Sequence, residues 1–302
     1  MNQNDMIKND RVEIGALIRT LRKKKKIKQT ELFQGLCTKE VFERIEKGRG
    51  FKDELLVERL LSRLHMQYRL LEVTLSDEDF VRKELRARIE LYAEYKDIDN
   101  AKKFLQQYES SQMQGKLDRQ YVLWMRARML EMKNREEAGR MYQQAFLMTG
   151  EGVARRLLSG EELDMYLGYC RCSNTLTGKE QKELLFWMEK ELLQRQIYPY
   201  GYFATQYAEA EKLFFEGAGE QALQICNQCI DLLNSKNKSS MFTEFLFLQA
   251  KCIAKLNGEK KQEYREAFYM VFYTCLGLGE ESMAGKVVTY CKEEFGWLLP
   301  MQ

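Results

Sequence analysis

The sequence predicts an all-α protein, in which a small N-terminal helical bundle is followed by a long array of paired helices. Only 2 prolines occur in 302 residues, Pro199 and Pro300. Since proline removes a backbone donor and clashes inside a helix, their scarcity permits long uninterrupted helices. Strong helix formers such as Leu, Glu, Lys, Gln and Met are abundant. Apolar residues recur every three or four positions, which is the period of an amphipathic helix.

Residues 28–50, KQTELFQGLCTKEVFERIEKGRG, carry the most specific pattern in the chain. They are typical of two short helices joined by a tight turn, an arrangement that sets one helix into the DNA major groove. The first of these helices spans 29–36, and Thr38 is the expected N-cap of the second. Val41, Phe42 and Ile45 form the inner face of that second helix. Gly48 and Gly50 are expected to end it, because glycine tolerates the left-handed conformation.

Further helices complete the predicted N-terminal domain. Residues 11–26 form an amphipathic first helix, residues 54–64 a fourth, and residues 67–75 a fifth. The segment SDED at 76–79 is a break followed by a new helix start. We therefore place a domain boundary there, with a helix-turn-helix domain over 1–75 and a repeat domain over 76–302.

Basic residues concentrate in the first of these two domains. Residues 1–75 hold 17 Lys and Arg against 11 Asp and Glu, whereas the whole chain holds 48 and 45, so the remainder is slightly acidic. No acidic residue occurs between Glu13 and Glu31. A lysine run alone is usually a solvated helix face. Here it adjoins the two-helix pattern, which favours an electrostatic role toward DNA.

From residue 80 onward the pattern is one of helix pairs with a repeating set of small and bulky packing positions. These sets are Ala101, Leu105, Tyr108; Ala138, Tyr142, Ala145; and Ala222, Cys226, Cys229. A degenerate set is expected near residue 180, at Leu184, Leu185 and Trp187. The remaining predicted helices are 85–95, 121–132, 163–172, 203–215, 242–256, 262–276 and 282–295. Because one helix pair cannot bury its apolar face alone, the pairs are expected to stack into a tetratricopeptide-like solenoid with a concave ligand groove.

Residues 14–64 resemble the Cro/CI-type (XRE) helix-turn-helix domain. The resemblance is carried by Arg19 and Arg22, by Gln29, by Leu32, and by RIEKG at 44–48. It implies that Arg22 and Glu46 form an internal pair. The segment GLCTKEVFERIEKG is similar to the Rgg/PlcR-like (RRNPP) peptide-pheromone receptors of Gram-positive bacteria. That resemblance covers the whole chain and implies tetratricopeptide-like repeats that bind a short peptide.

The sequence departs from that pattern at two places. Phe33 stands where the family usually has alanine, so the helix must shift or its neighbours must compensate. Glu40 and Glu43 place carboxylates on the outward face of the reading helix, where they repel phosphates although glutamate can accept from a cytosine amino group. A domain used for protein contact rather than for DNA is therefore the alternative.

Eleven residues are predicted to meet DNA. They are Lys23, Lys24, Lys25, Lys26, Lys28, Gln29, Thr30, Lys39, Glu40, Glu43 and Arg44. The lysine run should supply non-specific attraction, and Gln29 and Thr30 should meet a phosphate at a helix start. Lys39, Glu40 and Glu43 are the candidates for base edges, and Arg44 for the backbone. The competing interpretation is helix capping for Gln29 and Thr30. For Lys39, Glu40, Glu43 and Arg44 it is a solvated helix face.

Six residues of the repeats are predicted to bind a short linear peptide. They are Arg126, Arg128, Tyr166, Tyr169, Gln206 and Tyr207. The arginines would face a peptide carboxylate, and the tyrosines would form the floor of a groove. The competing interpretation is that tyrosines at helical spacing pack between repeats.

Composition and motifs argue against other classes of protein. The N-terminus, MNQNDMIKND, has no apolar signal region, and no segment approaches the roughly 20 apolar residues that span a bilayer, so we expect a cytoplasmic location without membrane contact. The pairs Cys170/Cys172 and Cys226/Cys229 are interpreted as packing residues rather than zinc ligands. The chain has one histidine, His65, and neither a phosphate-binding glycine loop nor a nucleophile-plus-base pattern. We expect no metal, no cofactor and no enzyme activity.

Together these patterns predict a DNA-binding transcription regulator whose repeats sense a short peptide or other small ligand. A homodimer is expected, because one reading helix covers only a few base pairs. The alternative is a repeat-based protein-interaction scaffold whose helix-turn-helix domain serves docking or dimerisation.

Overall fold

The structure is a computed structural model of the chain. It describes residues 3–49, 51, 53–66, 68, 71, 75–111, 115–154, 157–173, 200–235, 241–256 and 261–299. Within these residues the regular structure is helical throughout, and no strand occurs among them. The predicted all-α class is confirmed.

The chain divides into two compact units, Met1–Gly201 and Tyr202–Gln302. The described helices of the first unit are α1 (Gln3–Lys24), α2 (Gln29–Phe33), α3 (Lys39–Glu46), α4 (Glu54–Arg63), α5 (Asp77–Glu94), α6 (Ile98–Ser110), α7 (Lys116–Leu130), α8 (Arg135–Thr149) and α9 (Gly160–Ser173). They are followed by α10 (Tyr200–Phe215), α11 (Gly219–Ser235), α12 (Phe242–Leu256), α13 (Lys261–Gly277) and α14 (Glu281–Phe295). The boundary predicted between 75 and 76 lies inside the first unit, before α5, and stays a prediction.

Helices α1 to α4 form the N-terminal bundle around one apolar core. Its buried members include Ile14, Ile18, Leu32, Leu36, Phe42, Ile45, Leu56, Leu60 and Leu64. Helices α1 and α3 approach so closely that a Cβ atom on Gly15 would lie 2.1 Å from the Ile45 carbonyl oxygen. Phe33 fits beside this core because its ring packs against that of Phe42, with centroids 5.3 Å apart. The neighbouring phenylalanine thus compensates for the missing small residue.

The helix boundaries follow from local capping. The Thr38 hydroxyl accepts from the Val41 amide at the start of α3, as predicted. Gly48 ends that helix with φ of +67°, a left-handed conformation that glycine adopts without strain. Ser76 caps α5 by accepting from the Asp79 amide at 3.2 Å, which confirms a helix start in the SDED segment. Gly50 and most of the predicted fifth helix, 67–75, lie outside the described residues.

The predicted small-residue sets are buried on three helices, α6, α8 and α11. In the first unit, Ala101, Leu105 and Tyr108 are buried on α6, and Ala138, Tyr142 and Ala145 are buried on α8. In the second unit, Ala222, Cys226 and Cys229 are buried on α11. In the first unit α5 packs on α6 and α7 packs on α8 as helical hairpins, and in the second unit α11 packs on α12 and α12 on α13. The degenerate set expected near residue 180 lies outside the described residues.

None of the described helices combines the length and the apolar character that crossing a membrane requires.

Candidate nucleic-acid interface and repeat surfaces

The outer face of α3 is open to solvent. The Lys39 side chain is 65% exposed and that of Lys47 is 54% exposed, and Glu40 and Arg44 are exposed as well. Between the lysines lies Glu43, whose carboxylate is 3.0 Å from the Lys47 amine and 3.9 Å from that of Lys39. The inner face carries Phe42 and Ile45 in the core. The first unit therefore leaves the predicted reading surface uncovered.

The two carboxylates on this face are held in their charged form. A hydrogen bond from Lys47 lowers the pKa of Glu43, and the positive charges of Lys47 and Lys39 add to this. The pKa of Glu40 is lowered by its own backbone amide and then by the Thr38 hydroxyl. Lys39, Arg44 and Lys47 stand against Glu40 and Glu43, so the face carries one positive charge in excess and is not an acidic surface.

The predicted basic run lies at the end of α1 and in the loop after it. Lys23, Lys24, Lys25, Lys26 and Lys28 are all exposed. Lys23 and Lys24 occupy the last turn of α1, where a positive charge also interacts favourably with the helix dipole. These side chains can attract phosphates without any rearrangement of the bundle core.

An internal clip fixes α3 against α1 and α2. The Arg22 guanidinium donates to Glu46 through Nε at 2.7 Å and through Nη2 at 3.1 Å, which confirms the pair implied by the resemblance. Gln29 Nε2 donates to the same carboxylate at 2.6 Å, and Arg22 Nη1 reaches the Ile27 carbonyl at 3.1 Å. The Gln29 amide thus braces α3 from within, whereas Thr30 is exposed. A phosphate contact by Gln29 and Thr30 stays a prediction.

The two predicted peptide-binding arginines of α7 do not share a site. Two residues along a helix differ by about 200° around its axis, which puts Arg126 and Arg128 on opposite sides. Arg126 pairs with Glu109 at 2.5 Å and lines a groove of about 440 Å³ between α6, α7 and α8. The Arg128 guanidinium lies over the Trp124 ring, 5.9 Å from its centroid. Peptide binding by Arg126 and Arg128 stays a prediction, and in this arrangement the two residues would meet different parts of a ligand.

The predicted aromatic floor is largely occupied by packing in the first unit. Tyr166 packs on Phe146 of α8, with ring centroids 5.3 Å apart. Tyr169 is partly buried against the core that contains Ile89 and Met165. These contacts favour the inter-repeat packing interpretation for both tyrosines.

In the second unit the predicted pair on α10 is also engaged. Gln206 is buried and donates to the Tyr202 hydroxyl at 3.3 Å. Tyr207 is half-buried, with its ring edge-on to Phe245 at 5.5 Å. Burial raises the pKa of the Tyr207 hydroxyl, and the neighbouring charge of Glu211 adds to the effect. Tyr207 is the more accessible of the two.

Buried charged residues of α4 and α9 are functional candidates that sequence patterns did not single out. Arg59 and Arg63 are 1% and 0% exposed, and they pair with Glu161 and Glu162 at 2.5 and 2.6 Å. A signal was present, because Arg63 continues the apolar spacing of Leu56 and Leu60 on the inner side of α4. A charged residue on a buried stripe requires a partner. The partner, about 100 residues away, could not be read from spacing.

Among the described residues no cluster of three or more histidine, cysteine or acidic side chains is arranged to hold a metal ion. Cys172, Cys226 and Cys229 are buried free thiols. Burial raises the pKa of Cys172 to about 11. A buried thiol of this kind behaves as a small apolar packing residue.

Comparisons with known structures agree with this architecture. The chain is similar to the structure of Bacillus thuringiensis PlcR in complex with the peptide PapR7 and DNA, with a TM-score of 0.56 and 14% identity over 91% of this chain and 98% of that one. ComR from S. thermophilus, solved with DNA and its signalling peptide ComS, matches with a TM-score of 0.45 and 16% identity over 91% and 97%. No family model matches, and neither does any curated protein sequence.

At this level of identity the likeness to PlcR establishes the fold. The chain has the helix-turn-helix plus tetratricopeptide-like repeat architecture of PlcR. The resemblance read from residues 14–64 and from the repeats is confirmed as a structural match.

Proposed function

We propose that the protein is a DNA-binding transcription regulator that reads duplex DNA with α3. The observation that carries this proposal is the exposed outer face of α3 in a helix-turn-helix bundle, held from behind by Arg22, Gln29 and Glu46. In this class of fold the second helix of the motif lies in the major groove. A face that is both exposed and rigidly supported suits direct contact with base edges.

The side chains on the outer face of α3 are proposed to make different kinds of contact with DNA, according to their length and charge. Lys39, Glu40 and Glu43 are the candidates for base edges, since lysine pairs with guanine acceptors and glutamate accepts from cytosine N4. Arg44 is the candidate for a phosphate contact. The lysines at 23–26 and 28 supply sequence-independent attraction that salt screens.

The repeats are proposed to sense a short peptide or other small ligand. Support comes from the fold, because PlcR was solved with both a peptide and DNA. Arg126, Arg128 and Tyr207 remain accessible in part on their respective units. A ligand that prefers one arrangement of the repeats would shift the population toward it and so change the affinity for DNA.

A homodimer is part of the proposal. One α3 helix covers a few base pairs, and specific sites in this class usually comprise two half-sites about one helical turn apart. In the second unit, Met270 and Tyr273 are each 56% exposed on successive turns of α13. An exposed apolar stripe of this kind is typical of a protein contact.

The test is a mobility shift with the DNA upstream of the chain's own gene. Lys39→Ala plus Arg44→Ala should weaken binding by roughly 30- to 1,000-fold, if each contact contributes about 1–2 kcal/mol. Lys102→Ala plus Lys103→Ala is the matched control, because it removes the same charge from exposed positions on α6. Equal weakening in both variants would indicate non-specific attraction. Binding that neither variant changes would refute the role of α3 and favour the scaffold alternative.

A further inference from the structure

A buried arginine connects the loop before α3 to the repeat helices. Arg63, at the end of α4, is fully buried. Its Nη1 donates to the Leu32 carbonyl at 2.8 Å and to the Gln34 carbonyl at 2.7 Å, both at the end of α2. Its Nη2 donates to the Thr149 carbonyl at 3.0 Å and to Glu162 at 2.6 Å, and Nε donates to Glu162 at 3.1 Å. One guanidinium therefore joins the α2–α3 turn to the end of α8 and the start of α9.

The turn itself is pressed against α8. Gly35 has φ of +76°, and a Cβ atom there would lie 2.4 Å from the Thr149 carbonyl oxygen. No side chain fits at that distance without moving the backbone. The Gly35 carbonyl also accepts from Lys116 Nζ of α7 at 2.7 Å. Two repeat helices, α7 and α8, thus contact the short segment between α2 and α3 directly, and α9 is linked to it through Arg63.

The repeat side of this contact is held in place as well. Glu162 accepts from the Ser159 amide at 2.8 Å, while its own amide donates to the Ser159 hydroxyl at 3.1 Å, so the two residues cap α9 reciprocally. Gln120 of α7 donates to the Thr149 hydroxyl at 2.6 Å and to the Ala145 carbonyl at 2.8 Å. A chain of hydrogen bonds therefore extends from α7 and α9, through Thr149 and Arg63, to the turn.

A second arginine pair provides an internal comparison. Arg59 lies one turn before Arg63 on α4, and it pairs with Glu161, the residue next to Glu162, at 2.5 Å. This pair also joins α4 to α9. The Arg59 guanidinium lies 6.0 Å from the centroid of the Trp124 ring, and the bonds to the Leu32 and Gln34 carbonyls of the turn come from Arg63 instead. The two pairs thus share helices and chemistry and differ in whether they reach the turn.

We infer that Arg63 is a positioning residue: with Glu162, it fixes the α2–α3 turn to α8 and α9, so that these repeat helices set the placement of α3. The consequence for DNA rests on the proposed function, whereas the anchoring itself does not. Since α3 begins four residues after Gly35, displacement of the turn displaces the first turn of α3, where Lys39 and Glu40 lie. A rearrangement of α8 and α9 would therefore reach the reading face through this joint.

The anchoring is tested by amide hydrogen exchange on the full-length chain without DNA. The amides of Leu36 and Cys37 report on the turn, because both donate to the Phe33 carbonyl inside it. The variant Arg63→Met plus Glu162→Gln removes the guanidinium without leaving a bare buried carboxylate. Arg59→Met plus Glu161→Gln makes the same chemical change in the pair that does not reach the turn.

We expect exchange of these two amides to be at least tenfold faster in the Arg63 double variant and changed less than twofold in the Arg59 double variant. Equal acceleration in both variants would show that general docking of α4 on α9 protects the turn, and it would overturn the inference. Unchanged exchange in the Arg63 variant would overturn it too.

If the Arg63 variant does not fold, glycine substitutions test the same contact. Gly35→Ala must push the turn away from Thr149, whereas Gly48→Ala imposes a similar left-handed strain, at φ of +67°, with its nearest contact at 3.1 Å on a side-chain atom. Tenfold faster exchange of Leu36 and Cys37 in Gly35→Ala alone supports the inference. The same rate in both variants would overturn it.

A mobility shift with the upstream DNA separates this inference from the proposed function. If the wild type binds, the Arg63 double variant should bind at least tenfold more weakly than the Arg59 double variant. Equal affinities would refute a positioning role. If the wild type binds no DNA while exchange responds as expected, the proposed function fails and the anchoring stands.

Discussion

Charged side chains are used in opposite ways by α3 and by the helices that support it. Lys39 at the start of α3 and Lys47 directly after its end face solvent and share a single carboxylate, Glu43, at the surface. At the junction of α4 and α9, Arg63 and Glu162 are both fully buried and fully hydrogen-bonded. An exposed pair contributes little to stability, because water competes for both charges, whereas breaking a buried pair leaves a charge without solvent. The first set is available to a partner, and the second determines geometry.

The largest effect in this comparison is expected from the clip behind α3. Arg22→Met should lower the free energy of unfolding by about 3 kcal/mol, because Glu46 is 5% exposed and loses its cationic partner. Urea denaturation followed by circular dichroism measures the change. Arg19→Met, at an exposed position on the same helix, is the control and should change the free energy by less than about 0.5 kcal/mol. Similar values for both variants would mean that the clip is energetically unimportant.

A smaller change in the free energy of unfolding is expected from Tyr166, which the sequence predicted to face a ligand. Tyr166→Ala should cost about 2 kcal/mol of stability through lost packing on Phe146, and Tyr166→Phe, which keeps the ring, should cost clearly less. Thermal and urea unfolding of both variants distinguish packing from binding. A Tyr166→Ala variant as stable as the wild type would contradict the packing role and favour ligand binding by this residue.

The smallest effect concerns acid stability. Burial raises the pKa of Glu162, but the charge and hydrogen bonds of Arg63 outweigh this, so the net shift is downward from the ordinary 4.5. A carboxyl with a lowered folded pKa adds stability above its unfolded value, and that stability disappears as the pH falls through the folded pKa. Below pH 4.5 the wild type should therefore lose stability more steeply than Glu162→Gln, by at most about 1.4 kcal/mol per pH unit for one proton. Parallel pH profiles of unfolding would contradict this.

The sequence allowed the bundle to be predicted at the level of single residues. The Thr38 cap, the Gly48 stop and the exposure of Lys39 and Arg44 depend on contacts within one short motif of fixed geometry. The Arg22–Glu46 pair was implied by the resemblance to the Cro/CI-type domain. The small-residue sets of α6, α8 and α11 were equally predictable, because helical spacing determines which residues face the partner helix.

The repeat surface was less predictable, for physical reasons. Arg126 and Arg128 are two residues apart in sequence, yet a helix turns them to opposite sides. Tyr166 and Gln206 are residue types that often line a ligand-binding groove. The same types at the same helical spacing also pack between helices, so the sequence alone does not separate the two roles. The Arg63–Glu162 joint depends on the docking of helices about 100 residues apart, which no local pattern encodes.

The central claim, that the cationic face of the N-terminal bundle binds duplex DNA, is tested most directly by the salt dependence of affinity for the upstream DNA. The account predicts a steep linear fall of log K with log salt concentration, and a slope reduced by about 2 in Lys24→Ala plus Lys25→Ala, since each phosphate contact contributes about 0.9. An affinity that does not change with salt, or a slope unaltered by removing these two lysines, would contradict it.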